Sequence, residues 1–301
     1  RTALKNGADC LAVAVPEEGL ELRNAAIDCP ILVFGLIQPS EAWKPVEAGL
    51  EQTVCSVELL EALDQESRNR GVVTPVHVKV DTGMGRIGLA PADVVEFARK
   101  VAACANLQLK GLYSHFSCAD EKDKSFTHTQ MARFQEVRGA LAAAGIDIPV
   151  KHIANSAGVL DFPEAHFDLV RPGIMIYGLY PSQDVSHSVE LRPAMSFVTR
   201  VCHVKRVPAG TPIGYGATFV TSRDSVIATM PVGYADGYRR LLTNKGEVLA
   251  RGVRVPLVGR VAMDMCMLDV TEVPGTQVGD EIVLFGKGLP VEEMASLIGT
   301  I

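Results

Sequence analysis

The sequence predicts an α/β domain of the (β/α)8 barrel type over residues 1–190, followed by an all-β domain over residues 191–301. Up to residue 190, apolar strand-like runs alternate with helix-like segments, which is typical of parallel strands covered by helices. Beyond residue 190 the helix signals nearly vanish, and turn sequences such as Pro-Ala-Gly and Pro-Gly-Thr separate the apolar runs. With 301 residues and 48% hydrophobic content, the chain can bury one large core or two smaller ones.

The first domain contains one strand-like run fewer than a closed barrel needs, because eight strands are required. The strand-like runs cover residues 10–15, 30–35, 51–56, 75–81, 107–116, 150–155 and 167–176, and helix-like segments between them cover residues 16–26, 57–70, 92–105 and 125–144. Residues 1–7 resemble the tail of a helix with no strand before it. We therefore expect an incomplete barrel whose first strand is missing from the N-terminus. A doubly wound open sheet is the alternative at this point.

The second domain is expected to consist almost wholly of strands. Its strand-like runs cover residues 194–207, 225–232, 253–261, 265–270 and 281–285. Residues 290–301 begin a helix and stop without a capping residue, so we expect this domain to be truncated.

Composition disfavours several classes of protein. A net charge of −6 and scattered Lys and Arg argue against a nucleic-acid partner, and no apolar run reaches the roughly 20 residues of a membrane span. Seven cysteines without a CxxC pair favour a reducing, cytoplasmic location over a disulfide framework. The histidines and cysteines show no metal-ligand spacing, so no metal site is expected.

Residues 77–88 carry the strongest single functional signal. Valines alternate with His77, Lys79 and Asp81, which indicates a strand with one polar face. Burying three ionisable side chains on one face costs free energy unless they have partners. The strand is followed by a glycine-rich turn that contains Arg86, whose planar guanidinium suits an anionic or phenolic oxygen. This segment is expected to form a wall of an active site.

Two later segments together suggest a phosphate site. Ser156 follows one strand-like run at a helix start, and Gly173 lies at the end of the next, two residues after Arg171. The loops after the last two strands of a barrel commonly bind phosphate through backbone N–H groups. Taken alone, Ser156 could be only a helix cap and Gly173 only a turn residue. His115, near the end of another strand, is by itself more typical of a structural histidine.

The β domain adds three motifs. Tyr215 stands between two glycines and could project its hydroxyl into another domain's cleft, although alone it is more typical of an aromatic residue in a turn. Tyr234 lies in Val-Gly-Tyr-Ala-Asp-Gly, and Met263 and Asp264 lie in Ala-Met-Asp-Met. Methionines in such a run are ordinarily core filler.

The combined motifs resemble the alanine racemase family. Residues 79–88, 113–116, 154–157, 170–174, 214–218, 233–237 and 262–264 occur in that family's order and spacing, and the resemblance covers essentially the whole chain. It implies a barrel that binds pyridoxal 5'-phosphate, a C-terminal β domain, and interconversion of L-alanine and D-alanine. It also implies a head-to-tail homodimer whose active sites take residues from both subunits.

The resemblance also implies cofactor contacts. Ser156 and the backbones of Gly173 and Ile174 would hold the phosphate, and Asn155 would help to position the cofactor. Arg171 would donate to the pyridine nitrogen.

Further roles concern the substrate and the proton transfers. His115 would link Arg171 to Tyr215, which would come from the second subunit as one of two catalytic bases. Arg86 would reach the phenolic oxygen of the cofactor and the substrate carboxylate, and the Met263 backbone would bind the same carboxylate. Three residues would have supporting roles: Lys79, carbamylated in many members, would brace Arg86, and Tyr234 and Asp264 would line the entrance.

The chain departs from the family pattern in one respect. The family's second base is a lysine that also binds the cofactor covalently, in a run like Lys-Ala-Asn-Ala-Tyr-Gly-His-Gly, and no such run occurs in these 301 residues. We therefore expect this lysine to lie outside the chain and the fragment alone to be inactive. A non-catalytic pyridoxal phosphate-binding protein and a racemase of broader specificity are alternatives. A decarboxylase or aldolase of related fold is disfavoured by Arg171, since decarboxylases of this kind favour an acidic residue there.

Overall fold

A computed structural model of the chain describes residues 1–300. They form two compact units: the first comprises Arg1–Ile176 and Tyr180–Glu190, and the second comprises Tyr177–Leu179 and the chain from Leu191 onward.

The first unit is built on a sheet of six strands, all parallel, that follow one another in chain order. The strands are β1 (Leu11–Val13), β2 (Ile31–Val33), β3 (Glu51–Val54), β4 (Thr74–Lys79), β5 (Leu107–Tyr113) and β6 (Val150–His152). A doubly wound sheet reverses its strand order at a switch point, and this sheet does not. The unit is a half-barrel of the (β/α)8 type, which confirms the predicted fold class and excludes the open-sheet alternative.

The seventh predicted strand, over residues 167–176, is not a strand. The backbone of this segment makes two hydrogen bonds to β6 and the residues just after it, from Asp168 N to Lys151 O at 3.1 Å and from Arg171 N to Ala154 O at 3.0 Å. Pro172 follows and has no N–H to continue a ladder, and residues Ile174–Tyr177 turn into a 3₁₀ helix. The apolar run therefore lies beside β6 only briefly, and it ends in a turn that presents Gly173.

Helices connect the strands of the first unit. They are α1 (Thr2–Lys5), α2 (Pro16–Asn24), α3 (Trp43–Glu47), α4 (Val57–Arg70), α5 (Val94–Ala103), α6 (Ser125–Ala143) and α7 (Ser156–Asp161). Helix α4 shows why the predicted limits hold: Ser56 accepts a hydrogen bond from Leu59 N at 3.4 Å, and Gly71 ends the helix with φ +65°. None of the helices within residues 1–300 is both long and apolar enough to span a bilayer.

The second unit is antiparallel. The strands are β7 (Phe197–Arg200), β8 (His203–Val207), β9 (Pro212–Ile213), β10 (Phe219–Val220), β11 (Ser225–Met230), β12 (Glu247–Ala250), β13 (Val253–Val258), β14 (Cys266–Asp269) and β15 (Glu281–Phe285), and helix α8 covers Val291–Ile298. Seven of the strands form one sheet in the order β7-β15-β12-β13-β14-β11-β8, and β9 and β10 form a separate pair.

Residues 194–207, expected as one strand, form two strands at opposite ends of this sheet. The break has a simple cause, because consecutive residues bond to different partners. Val201 N donates to Asp280 O, and Cys202 N donates to Thr229 O, both at 2.9 Å. Strand β12, four residues long, was not predicted from the sequence.

Candidate active site

Strand β4 carries its polar side chains on the inner face of the half-barrel. Val76 and Val78, on the other face, are fully buried in the core shared with the helices. His77 and Lys79 alternate with them and are only 1% and 2% exposed. The strand is thus buried on both faces, as parallel strands usually are. A buried imidazole and a buried ammonium need partners there.

Lys79 is held in an environment that disfavours its charge. Its Nζ donates to the Val80 carbonyl at 3.2 Å and lies 5.0 Å from the centre of the Tyr113 ring. Burial lowers the pKa of Lys79 to about 7, and the positive charges of Arg171 and Arg86 add to this effect. Near neutral pH a large fraction of this amine is therefore uncharged and nucleophilic.

Arg171 is fixed at the centre of the site by its two terminal nitrogens. Nη1 donates to His152 Nδ1 at 2.6 Å, and Nη2 donates to the carbonyls of Ser114 and Ile153 at 2.7 and 3.0 Å. Nη2 also lies 3.4 Å from His115 Nδ1. Nε makes no hydrogen bond to the described residues, so among the three guanidinium nitrogens it is the one left without an acceptor and available to a ligand.

The charge states around Arg171 follow from burial. Burial lowers the pKa of the Arg171 guanidinium to about 10, so it remains a cation at neutral pH. Burial, reinforced by the nearby positive charge of Arg171, lowers the pKa of His115 to about 3 and that of His152 well below its ordinary value. Because arginine only donates, both Nδ1 atoms accept, and each neutral ring carries its proton on Nε2.

Ser156 and Gly173 meet at the mouth of the half-barrel. Ser156 Oγ accepts from Gly173 N at 2.9 Å and from Met175 N at 3.5 Å. Asn155 caps α7, because its Oδ1 accepts from Gly158 N at 3.0 Å. The sequence offered a cap role or a ligand role for Ser156, and in the structure the cap is Asn155. The Ser156 hydroxyl instead joins the start of α7 to the turn at residues 173–175.

Arg86 lies on a loop shaped by Asp81. The Asp81 carboxylate accepts from three successive backbone N–H groups, those of Gly83, Met84 and Gly85, at 2.9 to 3.2 Å. Burial alone would raise the pKa of Asp81, but these hydrogen bonds lower it below its ordinary value. Arg86 is exposed on this loop and makes no hydrogen bond to the described residues, so its fork is available to a ligand.

The candidates of the second unit are exposed side chains on two kinds of turn. Tyr215 is 73% exposed, and the glycines on either side have φ +74° and +72°. A second pair of loops is joined by backbone bonds from Tyr234 N to Ala262 O at 3.0 Å and from Ala235 N to Met263 O at 2.9 Å. Met263 and Tyr234 are 54% and 42% exposed. Met263 is therefore not core filler.

The structure groups the predicted residues into two sets. The first unit holds Lys79, Arg86, His115, Asn155, Ser156, Arg171, Gly173 and Ile174, and the second holds Tyr215, Tyr234, Met263 and Asp264.

Sequence reasoning missed four buried polar residues of the neighbouring strands: Glu51 and Thr53 on β3, Tyr113 on β5, and His152 on β6. It noted His77 as part of a polar strand face, but not its hydrogen-bond partners. Polar residues at alternate positions of otherwise apolar strands were the available signal. What the sequence could not show is that these strands are neighbours.

Comparison with known proteins gives the family. The profile described as "Alanine racemase, N-terminal domain" matches residues 1–181, and that described as "Alanine racemase, C-terminal domain" matches residues 194–301. This chain belongs to the alanine racemase family. The alanine racemase of Halothermothrix orenii is 48% identical over 95% of this chain and 76% of that protein. That of Methanococcus maripaludis is 46% identical over 100% of this chain and 82% of that protein. The structure of the Streptomyces lavendulae alanine racemase matches with a TM-score of 0.95 and 36% identity, over 100% of this chain and 81% of that one.

Alanine racemases depend on pyridoxal phosphate, and the first unit has groups that fit it. The Ser156 hydroxyl and the backbone N–H groups of Gly173 and Ile174 suit the phosphate, to which the Gly173 N–H would turn from its present acceptor, Ser156 Oγ. The unpaired Nε–H of Arg171 suits the pyridine nitrogen, which accepts a hydrogen bond when it carries no proton. The exposed fork of Arg86 suits a phenolic or carboxylate oxygen.

Proposed function

We propose that this protein is a pyridoxal phosphate-dependent alanine racemase that interconverts L-alanine and D-alanine. The observation that carries the proposal is Arg171, a permanent cation whose terminal nitrogens are all engaged and whose Nε–H is left free. A carboxylate in this place would favour a protonated pyridine, whereas a guanidinium keeps it unprotonated. The weaker electron sink favours proton exchange over competing reactions.

The first unit would bind both the phosphate and the pyridine nitrogen of the cofactor. Ser156 and the backbone N–H groups of Gly173 and Ile174 would hold the phosphate, with Asn155 fixing the start of the adjacent helix. Arg171 would donate to the pyridine nitrogen. When bound, pyridoxal phosphate supplies the electron-withdrawing ring that makes the α-hydrogen of an attached amino acid acidic. The protein's own groups would bind the substrate and transfer its α-proton.

Tyr215 would act as one of two bases, and a second copy of the chain would supply it. Its 73% exposure on a turn between two glycines supports this, since the side chain is accessible to another molecule. The neutral His115 has Nε2–H as its free donor, which could hold the phenolic oxygen beside Arg171. Tyr215 Oη would then remove or deliver the α-proton on one face of the substrate. A homodimer with shared sites follows from this proposal.

Arg86 and Met263 would bind the substrate carboxylate, through a guanidinium and a backbone group respectively. Tyr234 and Asp264, exposed on the paired loops, would line the entrance. Lys79 would be carbamylated. A carbamate is an anion, and it would replace a disfavoured ammonium near the cations Arg171 and Arg86 by a favourable charge.

The second base would be the lysine that binds the cofactor covalently, for which residues 1–301 contain no recognisable run. We infer that residues 1–301 alone bind pyridoxal phosphate without a covalent bond and do not racemise alanine. Borohydride reduction followed by mass spectrometry tests this. A stoichiometric pyridoxyl group on a single lysine of residues 1–301 would contradict it.

A reducing compartment, the cytoplasm, is the location we infer. All seven cysteines carry free thiols, and none lies in a disulfide.

The proposed function is tested with protein purified from its complete reading frame, supplied with pyridoxal phosphate and L-alanine. D-alanine should form until the two enantiomers are equal. In Tyr215→Phe, racemisation should fall at least ~10³-fold in both directions alike, because the equilibrium constant is fixed at one.

Deuterium exchange at the α-carbon gives the sharper readout for the same variant. In heavy water, one enantiomer should still exchange its α-hydrogen without inversion, since the second base remains, while the other enantiomer should not. Loss of exchange from both enantiomers, or from neither, would remove Tyr215 from the two-base role. Cofactor binding without any racemisation by the parent protein would favour the non-catalytic alternative.

A further inference from the structure

A continuous series of buried polar groups runs beneath Arg171 across three strands. Glu51 on β3, His77 on β4 and His152 on β6 are 7%, 1% and 0% exposed. His152 Nε2 lies 3.0 Å from His77 Nδ1, and His77 Nε2 lies 2.8 Å from Glu51 Oε2. The other oxygen of Glu51 accepts from Lys110 Nζ. None of these contacts has a part in the proton transfers proposed above.

The donors and acceptors of this series permit only one arrangement of protons. Arg171 always donates, so His152 Nδ1 accepts and the His152 proton is on Nε2. That proton is donated to His77 Nδ1, so the His77 proton is also on Nε2. It is donated in turn to the Glu51 carboxylate, which only accepts. A guanidinium at one end and a carboxylate at the other thus fix both tautomers.

Burial is consistent with two neutral rings. It lowers the pKa of His77 and of His152 below the ordinary value, although Glu51 opposes the effect at His77. Burial alone would raise the pKa of Glu51, but the hydrogen bonds from His77 and Lys110 outweigh it and lower the pKa, so Glu51 is ionised.

Three features of β5 accommodate this series of polar groups: a glycine, a bulge and a stacked tyrosine. A Cβ at Gly111 would lie 2.0 Å from His77 Nδ1, the atom that accepts from His152, so no other residue fits there without moving the ring. The pairing of β4 with β5 runs from Val76↔Leu109 to His77↔Gly111 and leaves Lys110 without a partner, as in a bulge. Bulges redirect side chains, and this one accompanies the contact of Lys110 with Glu51. Tyr113 stacks on His152 at 4.7 Å, with the rings 3° from parallel.

We propose that Glu51 and His77 are positioning residues for Arg171: through two imidazoles of fixed tautomer, the carboxylate holds His152 as an acceptor and so fixes the guanidinium with its Nε–H free. The inference rests on the proposed function, in that Arg171 serves the cofactor's ring nitrogen. It adds two residues to the site that lie beyond contact with the ligand. Their effect passes through His152 alone.

The first test is ¹⁵N NMR of the histidine rings in the protein without and with pyridoxal phosphate. His77 and His152, identified by replacing each ring in turn, should both show the neutral Nε2–H tautomer, unchanged from pH 6 to pH 9. A ring with its proton on Nδ1, or an imidazolium at either position, would overturn the proposal. This measurement does not depend on any activity.

The second test compares Glu51→Gln with the double variant Glu51→Gln/Lys110→Met. In the single variant the amide cannot satisfy both neighbours: if its oxygen faces Lys110, its NH₂ meets the His77 N–H, and if it is turned, its NH₂ meets the ammonium. His77 should then show a mixture of tautomers, with kcat about tenfold lower and KM for alanine within about twofold. In the double variant the oxygen can face His77, so the single tautomer should return and kcat should recover to within about threefold.

The controls separate this inference from the proposed function. If the wild-type protein is active and Glu51→Gln has the same kcat and the same His77 tautomer, the inference is wrong while the proposed function stands. The same holds if kcat of the double variant is no higher than that of the single variant. A wild-type protein without racemase activity would defeat the proposed function, and the tautomers would still decide the proton arrangement. Should Glu51→Gln fail to fold by circular dichroism, the wild-type spectra decide the matter.

Discussion

Burial sets the charge state of individual residues in the first unit of this protein. Arg171 remains a cation with its pKa lowered to about 10, while His115 is neutral with a pKa of about 3. The pKa of Lys79 lies between the values for Arg171 and His115. A buried amine with a pKa of about 7 gives the folded protein a pH dependence that can be measured.

We predict that the free energy of unfolding rises with pH through the Lys79 amine. Its pKa is about 7 when folded and near the ordinary 10.5 when unfolded, so between these values the unfolded chain binds the extra proton. Stability then increases by up to about 1.4 kcal/mol per pH unit, or about 2 kcal/mol from pH 7 to pH 9. Urea titrations in buffer freed of carbon dioxide measure this rise.

Lys79→Met is the control, because it removes the amine and keeps an apolar chain of similar length. The same titrations should show the rise smaller by about 2 kcal/mol in the variant. Equal slopes for the two proteins would show that the lysine is not desolvated. With ¹³C-bicarbonate, a carbamate signal should appear in the parent protein and be absent from Lys79→Met.

The sequence was informative about residues whose chemistry is unusual for their local pattern. His77, Lys79 and Asp81 stood out because ionisable groups rarely alternate with valines in a buried strand. Glu51 did not stand out, since one acidic residue at the start of a strand is ordinary. Its importance arises only from the neighbouring strands, which bring His77 and Lys110 to its two oxygens.

At the scale of elements, propensity and capping predicted the helices well, and strand limits were harder to predict. Helix α4 has the predicted limits of residues 57–70 because Ser56 and Gly71 mark its two ends. Residues 167–176 were apolar enough for a strand, but Pro172 and the following 3₁₀ turn prevented one. An apolar run indicates that a segment is buried. A buried segment that lies beside a strand need not form a continuous ladder of hydrogen bonds with that strand.

Helix α7 allows a structural role to be separated from a ligand role. We predict that Asn155→Ala destabilises the protein by about 1 kcal/mol through the lost cap on Gly158 N. Asn155→Asp should keep the cap and lose the hydrogen bond from Asn155 Nδ2 to the Phe116 carbonyl, while its negative charge beside the proposed phosphate site should weaken pyridoxal phosphate binding. Thermal unfolding and absorbance titration with the cofactor measure the two effects.

Ser56→Ala is the matched control for this pair of variants. It removes the cap of α4, where Ser56 accepts from Leu59 N, and it lies on a helix without a predicted site residue. It should lower stability by a similar amount and leave cofactor affinity unchanged. A loss of affinity in Ser56→Ala equal to that in Asn155→Asp would indicate that affinity simply follows stability.

On the scale of the whole molecule, the two units carry complementary parts of the proposed chemistry. The first has the groups that suit a phosphate and a pyridine nitrogen, and the second has exposed side chains on turns. The proposed mechanism requires both sets. If the parts come together between two copies of the chain, the protein must show complementation between defective copies.

We predict that two inactive variants regain activity when mixed. Tyr215→Phe lacks the proposed base, and Arg86→Gln lacks the proposed carboxylate contact but should fold, because Arg86 is exposed and makes no hydrogen bond to the described residues. After subunit exchange at equal amounts, half of the dimers would be mixed, and each mixed dimer would have one intact site and one doubly defective site. The mixture should therefore reach about a quarter of the parent activity. Mixing without subunit exchange is the control, and no recovery after proven exchange would mean that each chain builds its site alone.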